Sequence, residues 1–402
     1  MLATLYRGSV KDVKGPVQIG GETGVVFDYS DAYSVFDWGR MPDALPRKGE
    51  ALALLAAGLF ERLERPETWQ EFSRSSEALG LRKANRFGSA FVELGEELKQ
   101  AGLRTHYLGV IPRGKSDVCR PTGELAGSPP EGVFVRQVGV VKPAFHPILG
   151  RATPDYLPLR SSPLPRLVPL EVVFRFSCPG GSSLFERVER DPEYLASLGF
   201  GHLRDGGPLA AQRWDFPLLE LFTKLEPADR PVNLTEGLAI SGLSARQLQQ
   251  LLFRTAWTAG CLKWIAARAG LELADGKVEW GLDACGELML VDAIGPDELR
   301  LLRDGVQLSK EFLRAFYRET EWYRRVGDAK RDAKAQGTAE WKKLVAEGPP
   351  PLPVSYKEAA TQLYLALTND LSGRTWFPDA WKLERVVTEL RALDPRPGSL
   401  RT

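Results

Sequence analysis

Residues 274–300 read ADGKVEWGLDACGELMLVDAIGPDELR, and this stretch decides the fold. Asp275, Lys277 and Glu279 fall two apart, so on an extended strand all three side chains leave the same face. Asp283-Ala284-Cys285-Gly286 supplies a turn, and Glu287 to Asp292 runs back as an apolar strand. Folding the pair about that turn sets Lys277 roughly opposite Asp292, with Glu279 one diagonal away. The two strands are otherwise nearly continuous in apolar residues, so the hairpin is expected to be central. Carboxylates on a central hairpin must be paired or bind a cation. Magnesium suits such ligands, because it keeps waters and bridges one or two carboxylates to phosphates. A cross-strand ion pair worth well under ~1 kcal/mol reads the same residues equally well.

Outward from the hairpin, Ser244 to Ala269 reads as a helix. Ser244 is the N-cap, Leu248, Leu251, Leu252, Leu262 and Ile265 form one stripe, and Gly270 is the stop. Further upstream, LEVVFRF (170–176) is a strand that carries Arg175 and runs into Gly180-Gly181-Ser182-Ser183 before a helix-like LFERV. Glycines at a helix start leave backbone N–H groups for an anion, and Arg175 adds a two-pronged donor. A plain glycine turn is the commoner meaning of such residues. Near the N-terminus, LYRGSVKDV (5–13) places Gly8 and Lys11 in a strand-turn-strand. Such a turn can clamp nucleotide phosphates, as in kinase-type folds. It lacks the spacing of a Walker loop or a full kinase glycine loop, so a tight hairpin is the simpler reading.

The first 45 or so residues otherwise read as short strands, and Lys48 to Arg65 has helical spacing ended by Pro66. THYLGVI and GVFVRQVGVV return to strand character. Residues 143–169 are dense in proline and are expected to be an insertion or linker on the surface. Two later helices begin near Ser309 and Ser355, the second with a Ser355–Glu358 capping box. The segment after Gly373 is polar and is expected to dock loosely. The expected architecture is α+β and two-lobed: residues 1–142, a proline-rich crossing at 143–169, a larger lobe at 170–374, and a tail at 375–402.

The chain has 402 residues, 26% charged and 43% hydrophobic, with a formal net charge of +1. A chain this long buries on the order of 75% of its unfolded surface, so no staples are needed. The balanced charge argues against a nucleic-acid scaffold. The four cysteines, 119, 178, 261 and 285, include no CxxC and have no histidine nearby, which argues against zinc and fits reduced thiols. No apolar h-region opens the chain and no segment nears the ~20 apolar residues of a membrane span, so a soluble cytoplasmic protein is expected. There is no GxSxG, HExxH or GxGxxG after a strand. His106, His146 and His202 are scattered, and His106 reads as a packed or hydrogen-bonded residue rather than a base.

The order of these motifs resembles that of the SAICAR synthetase family of purine-pathway ligases. LYRGSVK, SDAYSVFDWGRMPDALPRKG, PLEVVFR through Gly181-Ser182, DGKVEWG, VDAIGPDELR, LSKEFLRAFY and PLPVSYKEAATQLYLALTNDLSG follow one another as in that family. The resemblance covers about residues 4–374, interrupted by the proline-rich insertion. It implies a two-lobed fold whose strand-rich first lobe has kinase-like character. It also implies an ATP- and magnesium-dependent amide ligase that activates the carboxylate of carboxyaminoimidazole ribonucleotide (CAIR) as an acyl phosphate and joins it to L-aspartate. By the same resemblance Glu279 and Asp292 would hold magnesium, and Lys277 would steady the transferring phosphate or the substrate carboxylate. Arg175, Gly181, Ser182 and Arg300 would hold the ribose phosphate, Asp297 the imidazole nucleotide, and Gly8 and Lys11 the ATP phosphates. The expected partners are small molecules: an imidazole ribonucleotide-like carboxylate and an amino acid or other amine.

Three positions depart from the family pattern. Ser9 replaces its first lysine after the glycine, Ala293 replaces the glutamate of an Asp-Glu pair, and Arg230 stands where an aspartate is expected. An acid-to-arginine change reverses local charge and would repel an amine. The departures leave room for a ligase using another amine, a small-molecule kinase, or a catalytically weak nucleotide-binding relative.

Overall fold

The computed structural model describes residues 2–115, 117–335 and 340–394. The chain builds two compact units from alternating stretches. The first gathers the residues up to Gly58, Leu108–Arg136 and the chain from Gly295 on; the second gathers Leu59–Tyr107 and Gln137–Ile294. The borders expected at 142 and 169 are therefore not where these units divide.

The first unit holds a sheet of β1 (Thr4–Arg7), β2 (Lys11–Ile19), β3 (Glu22–Tyr29), β4 (Tyr107–Ile111) and β5 (Gly132–Arg136), in the order β1-β2-β3-β5-β4. The β1–β2 turn closes through Gly8 N–H, which donates to the Lys11 carbonyl at 3.0 Å. A Cβ on Gly8 would stand 2.4 Å from that oxygen, so no other residue fits there without moving the backbone. The Val354–Ser372 helix begins one residue before Ser355, with Pro353 at the cap position and no side-chain cap, so the expected capping box does not form. The tail expected to dock loosely contains a packed helix instead. In Leu383–Leu393 the residues Leu383, Val386, Val387 and Leu390 are buried, a spacing that makes one apolar stripe.

The second unit is built on an antiparallel sheet of β8 (Arg166–Ser177), β9 (Arg213–Thr223), β10 (Pro231–Val232), β11 (Glu272–Leu282) and β12 (Leu288–Val291). Its order is β10-β9-β8-β11, with β12 folded against β11. The Ala245–Arg268 helix lies on one face, its start fixed by a full Ser244–Gln247 capping box. Trp280 of β11 donates its indole N–H to Thr255 of that helix at 2.9 Å, both groups buried. Phe91 stacks on Trp257 with ring centres 5.0 Å apart, anchoring the Ser89–Ala101 helix to the same core. The proline-rich insertion forms its own two-stranded hairpin, β6 (Ala144–Ile148) and β7 (Arg151–Asp155). Pro147 and Pro154 are tolerated there because a two-stranded ribbon is all edge.

Candidate functional site

The face of the second unit's sheet turned away from the Ala245–Arg268 helix is charged. Cross-strand partners share a face. The pairs Asp275↔Arg175, Glu279↔Glu171 and Val173↔Glu220 therefore set Glu171, Arg175, Glu220, Asp275, Lys277 and Glu279 side by side. Lys224 follows one residue after β9.

At one end, Lys277 Nζ donates to Glu171 Oε1 at 2.8 Å and to Glu279 Oε1 at 2.9 Å. Lys224 Nζ donates to the same two oxygens, each at 2.7 Å. Asp292 does not take part as the hairpin pattern implies. Glu279 pairs with Val291, so Asp292 in a regular strand would face the other way. Instead Asp292 has φ 69°, a left-handed residue that breaks the alternation where β12 ends. Its carboxylate then lies in the field of Glu279, Lys277 and Lys224. Buried His106 holds this bend: its Nε2–H donates to the Asp292 carbonyl at 3.1 Å, and its backbone N–H donates to Leu290 O at 3.0 Å.

The carboxylates in this cluster differ. Burial and the neighbouring Asp292 charge push Glu279 above the usual carboxylate range, against the pull of Lys277 and Lys224. Burial also acts on Glu171, but Lys277 and Lys224 outweigh it and hold that acid down. Among the described residues no three His, Cys, Asp or Glu side chains gather as a ready-made metal cage. Two carboxylates in a strained negative field still fit a magnesium ion that arrives with phosphate oxygens of its own.

At the other end, Arg175 is fully engaged. Its Nε donates to Glu220 at 2.6 Å, and one terminal nitrogen donates to Asp275 at 2.8 Å and to Ser182 Oγ at 3.3 Å. Glu220 also accepts from Arg187 Nε at 2.9 Å and from the Tyr194 hydroxyl at 2.8 Å. The two arginines shift Glu220 below its usual range, although burial alone would raise it. Gly181 takes φ 82° in the loop that brings Ser182 back to Arg175. Back at the Lys224 end, beside Thr223, Arg230 is bound by Glu226 at 2.9 Å and Glu236 at 2.7 Å. Its charge is answered on both sides, so the expected repulsion of an amine does not follow from it.

The first unit carries the remaining candidates. Lys11 Nζ sits 4.2 Å from the centre of the Phe27 ring, on the strand after the Gly8 turn. Asp297 is buried, accepting from Lys48 Nζ at 2.9 Å and from the Tyr364 hydroxyl at 2.6 Å. Burial would raise its pKa, but Lys48 and Lys310 hold it far below the ordinary carboxylate value. Arg300 lies 3.9 Å from Glu311, which also meets Arg314 at 3.2 Å and Arg318 at 2.5 Å.

Glu220 and Asp297 have depressed folded pKa values, so the stability they contribute is complete above the ordinary carboxylate value and is lost as pH falls. The urea midpoint is expected to be level near neutrality and to fall below about pH 4. A midpoint unchanged from pH 5 to 3 would contradict these assignments.

Glu171, Lys224, Glu220, Arg187, Lys48 and Tyr364 were not singled out from the sequence. Two of them left a trace there: Glu220 and Lys224 alternate in LELFTK exactly two residues either side of Phe222, as charged residues inside an apolar strand.

Comparison with known proteins gives the same placement. Residues 165–329 match the profile of the SAICAR synthetase family. A putative phosphoribosylaminoimidazole-succinocarboxamide synthase of Archaeoglobus fulgidus is 35% identical over 388 residues, covering 96% of this chain and 98% of that protein. The phosphoribosylaminoimidazole-succinocarboxamide synthase of Thermoplasma acidophilum is 28% identical over 52% of this chain and 69% of its own length. The solved SAICAR synthase of Saccharomyces cerevisiae, complexed with SAICAR, superposes with a TM-score of 0.50 at 18% identity, over 93% of this chain and 96% of that one. The chain is thus an enzyme of the carbon–nitrogen ligase class that uses ATP. It belongs to the SAICAR synthetase family. Among the described residues, no helix is long and apolar enough to cross a membrane.

Proposed function

We propose that this enzyme activates the carboxylate of CAIR, or a closely similar ribonucleotide, as an acyl phosphate and joins it to L-aspartate, using magnesium with ATP. The observation that carries the reading is the cluster in which Lys277 and Lys224 meet Glu171 and Glu279 within 2.7–2.9 Å beside Asp292. A carboxylate is a poor acyl donor until one oxygen becomes a phosphate leaving group, and that transfer needs charge neutralised more than it needs a base. In this reading Glu279 and Asp292 hold magnesium, which supplies positive charge against the phosphates. Lys277 steadies the transferring phosphoryl group. Arg175 fixes Ser182 and Asp275 so that the Gly181-Ser182 loop presents donors to the nucleotide phosphate. In the first unit Lys11, after the Gly8 turn, meets ATP phosphates, Arg300 a phosphate, and Asp297 the imidazole nucleotide.

The test is to incubate the full chain with ATP, magnesium, CAIR and a panel of amino acids, following ADP and product mass. ADP release that needs both CAIR and aspartate, with a product of the SAICAR mass, is expected. Turnover with a different amine only would reassign the nucleophile. A phosphorylated product formed without any amine would make the protein a kinase.

A further inference from the structure

Two ammonium groups bridge one pair of oxygens: Lys224 and Lys277 each donate to Glu171 Oε1 and to Glu279 Oε1, at 2.7–2.9 Å. Like charges held this close oppose one another, so the arrangement is stable only while the carboxylates between them are unclaimed. The two lysines are not equally tied. Lys277 lies in mid-strand, its backbone in register with Val173 of β8. Lys224 lies just past the end of β9, where its backbone N–H donates to Pro169 O at 3.2 Å and the chain turns off toward Arg230. The two side chains are about equally exposed, 27% for Lys224 and 29% for Lys277, so the difference lies in the backbone. A divalent cation seeks a pair of carboxylate oxygens of this kind.

We propose that Lys224 is the resident counter-ion of this site. It occupies carboxylate oxygens of Glu171 and Glu279 that would otherwise be open to a divalent cation, holds the two acids together beforehand, and would turn to a nucleotide phosphate once a cation took its place. Glu171 is thereby held beside Glu279 by the same ammonium group. The inference rests on the cation reading of Glu279 and Asp292. It adds that the site is closed by its own lysine, which ties cation entry to the arrival of an anion for that lysine to meet.

Manganese binding to the full chain, read as loss of the free Mn²⁺ paramagnetic resonance signal, tests it without turnover. Wild-type protein is expected to bind Mn²⁺ weakly alone and much more tightly with ADP. Lys224→Met is expected to bind Mn²⁺ alone at least about tenfold more tightly, because a competing positive charge is gone. With ADP present the order reverses, since the phosphate has lost its ammonium partner. Lys224→Arg, which keeps the charge, follows wild type in the absence of ADP. A merely structural lysine would weaken both states when removed. The proposal fails if Lys224→Met binds Mn²⁺ alone no better than wild type. It also fails, with no variant needed, if wild-type protein binds Mn²⁺ equally well with and without ADP. Absence of Mn²⁺ binding in every form, ADP included, would overturn the cation site itself and this inference with it.

Discussion

Glu279→Gln is expected to lower ADP formation by about 10²–10³-fold while leaving the fold intact. The amide keeps the shape of the side chain but removes a charge at the point where Lys277, Lys224 and Asp292 meet. The expectation about stability follows from the direction in which Glu279 is shifted. Its folded pKa is raised by burial and by Asp292, so above its ordinary value ionisation costs the folded state some stability. A neutral residue removes that cost, and the melting temperature of the variant should hold or rise. Glu171→Gln behaves in the opposite sense. Glu171 is held down by the two lysines, its charge stabilises the fold, and the variant should lose about 1–3 kcal/mol. Circular dichroism melts beside an ADP-release assay separate the two carboxylates. Full ADP formation by Glu279→Gln would remove it from the reacting site.

The second large effect falls on stability. Glu220→Gln is expected to cost about 3–5 kcal/mol, read as a lowered urea midpoint. Glu220 is buried and receives Arg175, Arg187 and Tyr194. Neutralising it leaves two guanidiniums facing each other, with Asp275, 2.8 Å from Arg175, to answer them. Breaking one member of a buried pair is dear because the other charge stays buried and unanswered. A loss below about 1 kcal/mol would mean that water or the neighbouring backbone satisfies these arginines. Arg175 ties Ser182 and Asp275 to Glu220 in the fold, contacts that the sequence resemblance alone does not reveal.

Much of the frame was legible in the sequence. Period-two charge in DGKVEWG announced a strand with a polar face, and the Ser244 cap with its leucine stripe announced the long helix behind it. The exact placement of Asp292 was not legible, because nothing in LVDAIG marks a single left-handed residue. A simple hairpin register consequently set it opposite Lys277. Glu171 and Lys224 were overlooked for a different reason: each is one charge in an apolar run, and its partner lies 53–106 residues away in the chain. The same distance hides the Lys48–Asp297–Tyr364 group, whose members are 249 and 67 residues apart. The Leu383–Leu393 helix was legible, since Leu383, Val386, Val387 and Leu390 have helical spacing, but its polar outer face resembled a loose tail.

The alternation of the chain between its two units has a consequence for biosynthesis. Domains assemble as units while the chain emerges from the ribosome. The second unit has all of its residues once Ile294 is out, whereas the first must wait for the stretch after Gly295. The sheet of β1 to β5 has all its strands once Arg136 is made, but the rest of its unit comes last. During that interval Tyr33, Lys48 and Ala51 lack Tyr317, Asp297 and Thr368, which they meet in the finished fold, so the segment after β3 is the part of the nascent protein left longest without its partners.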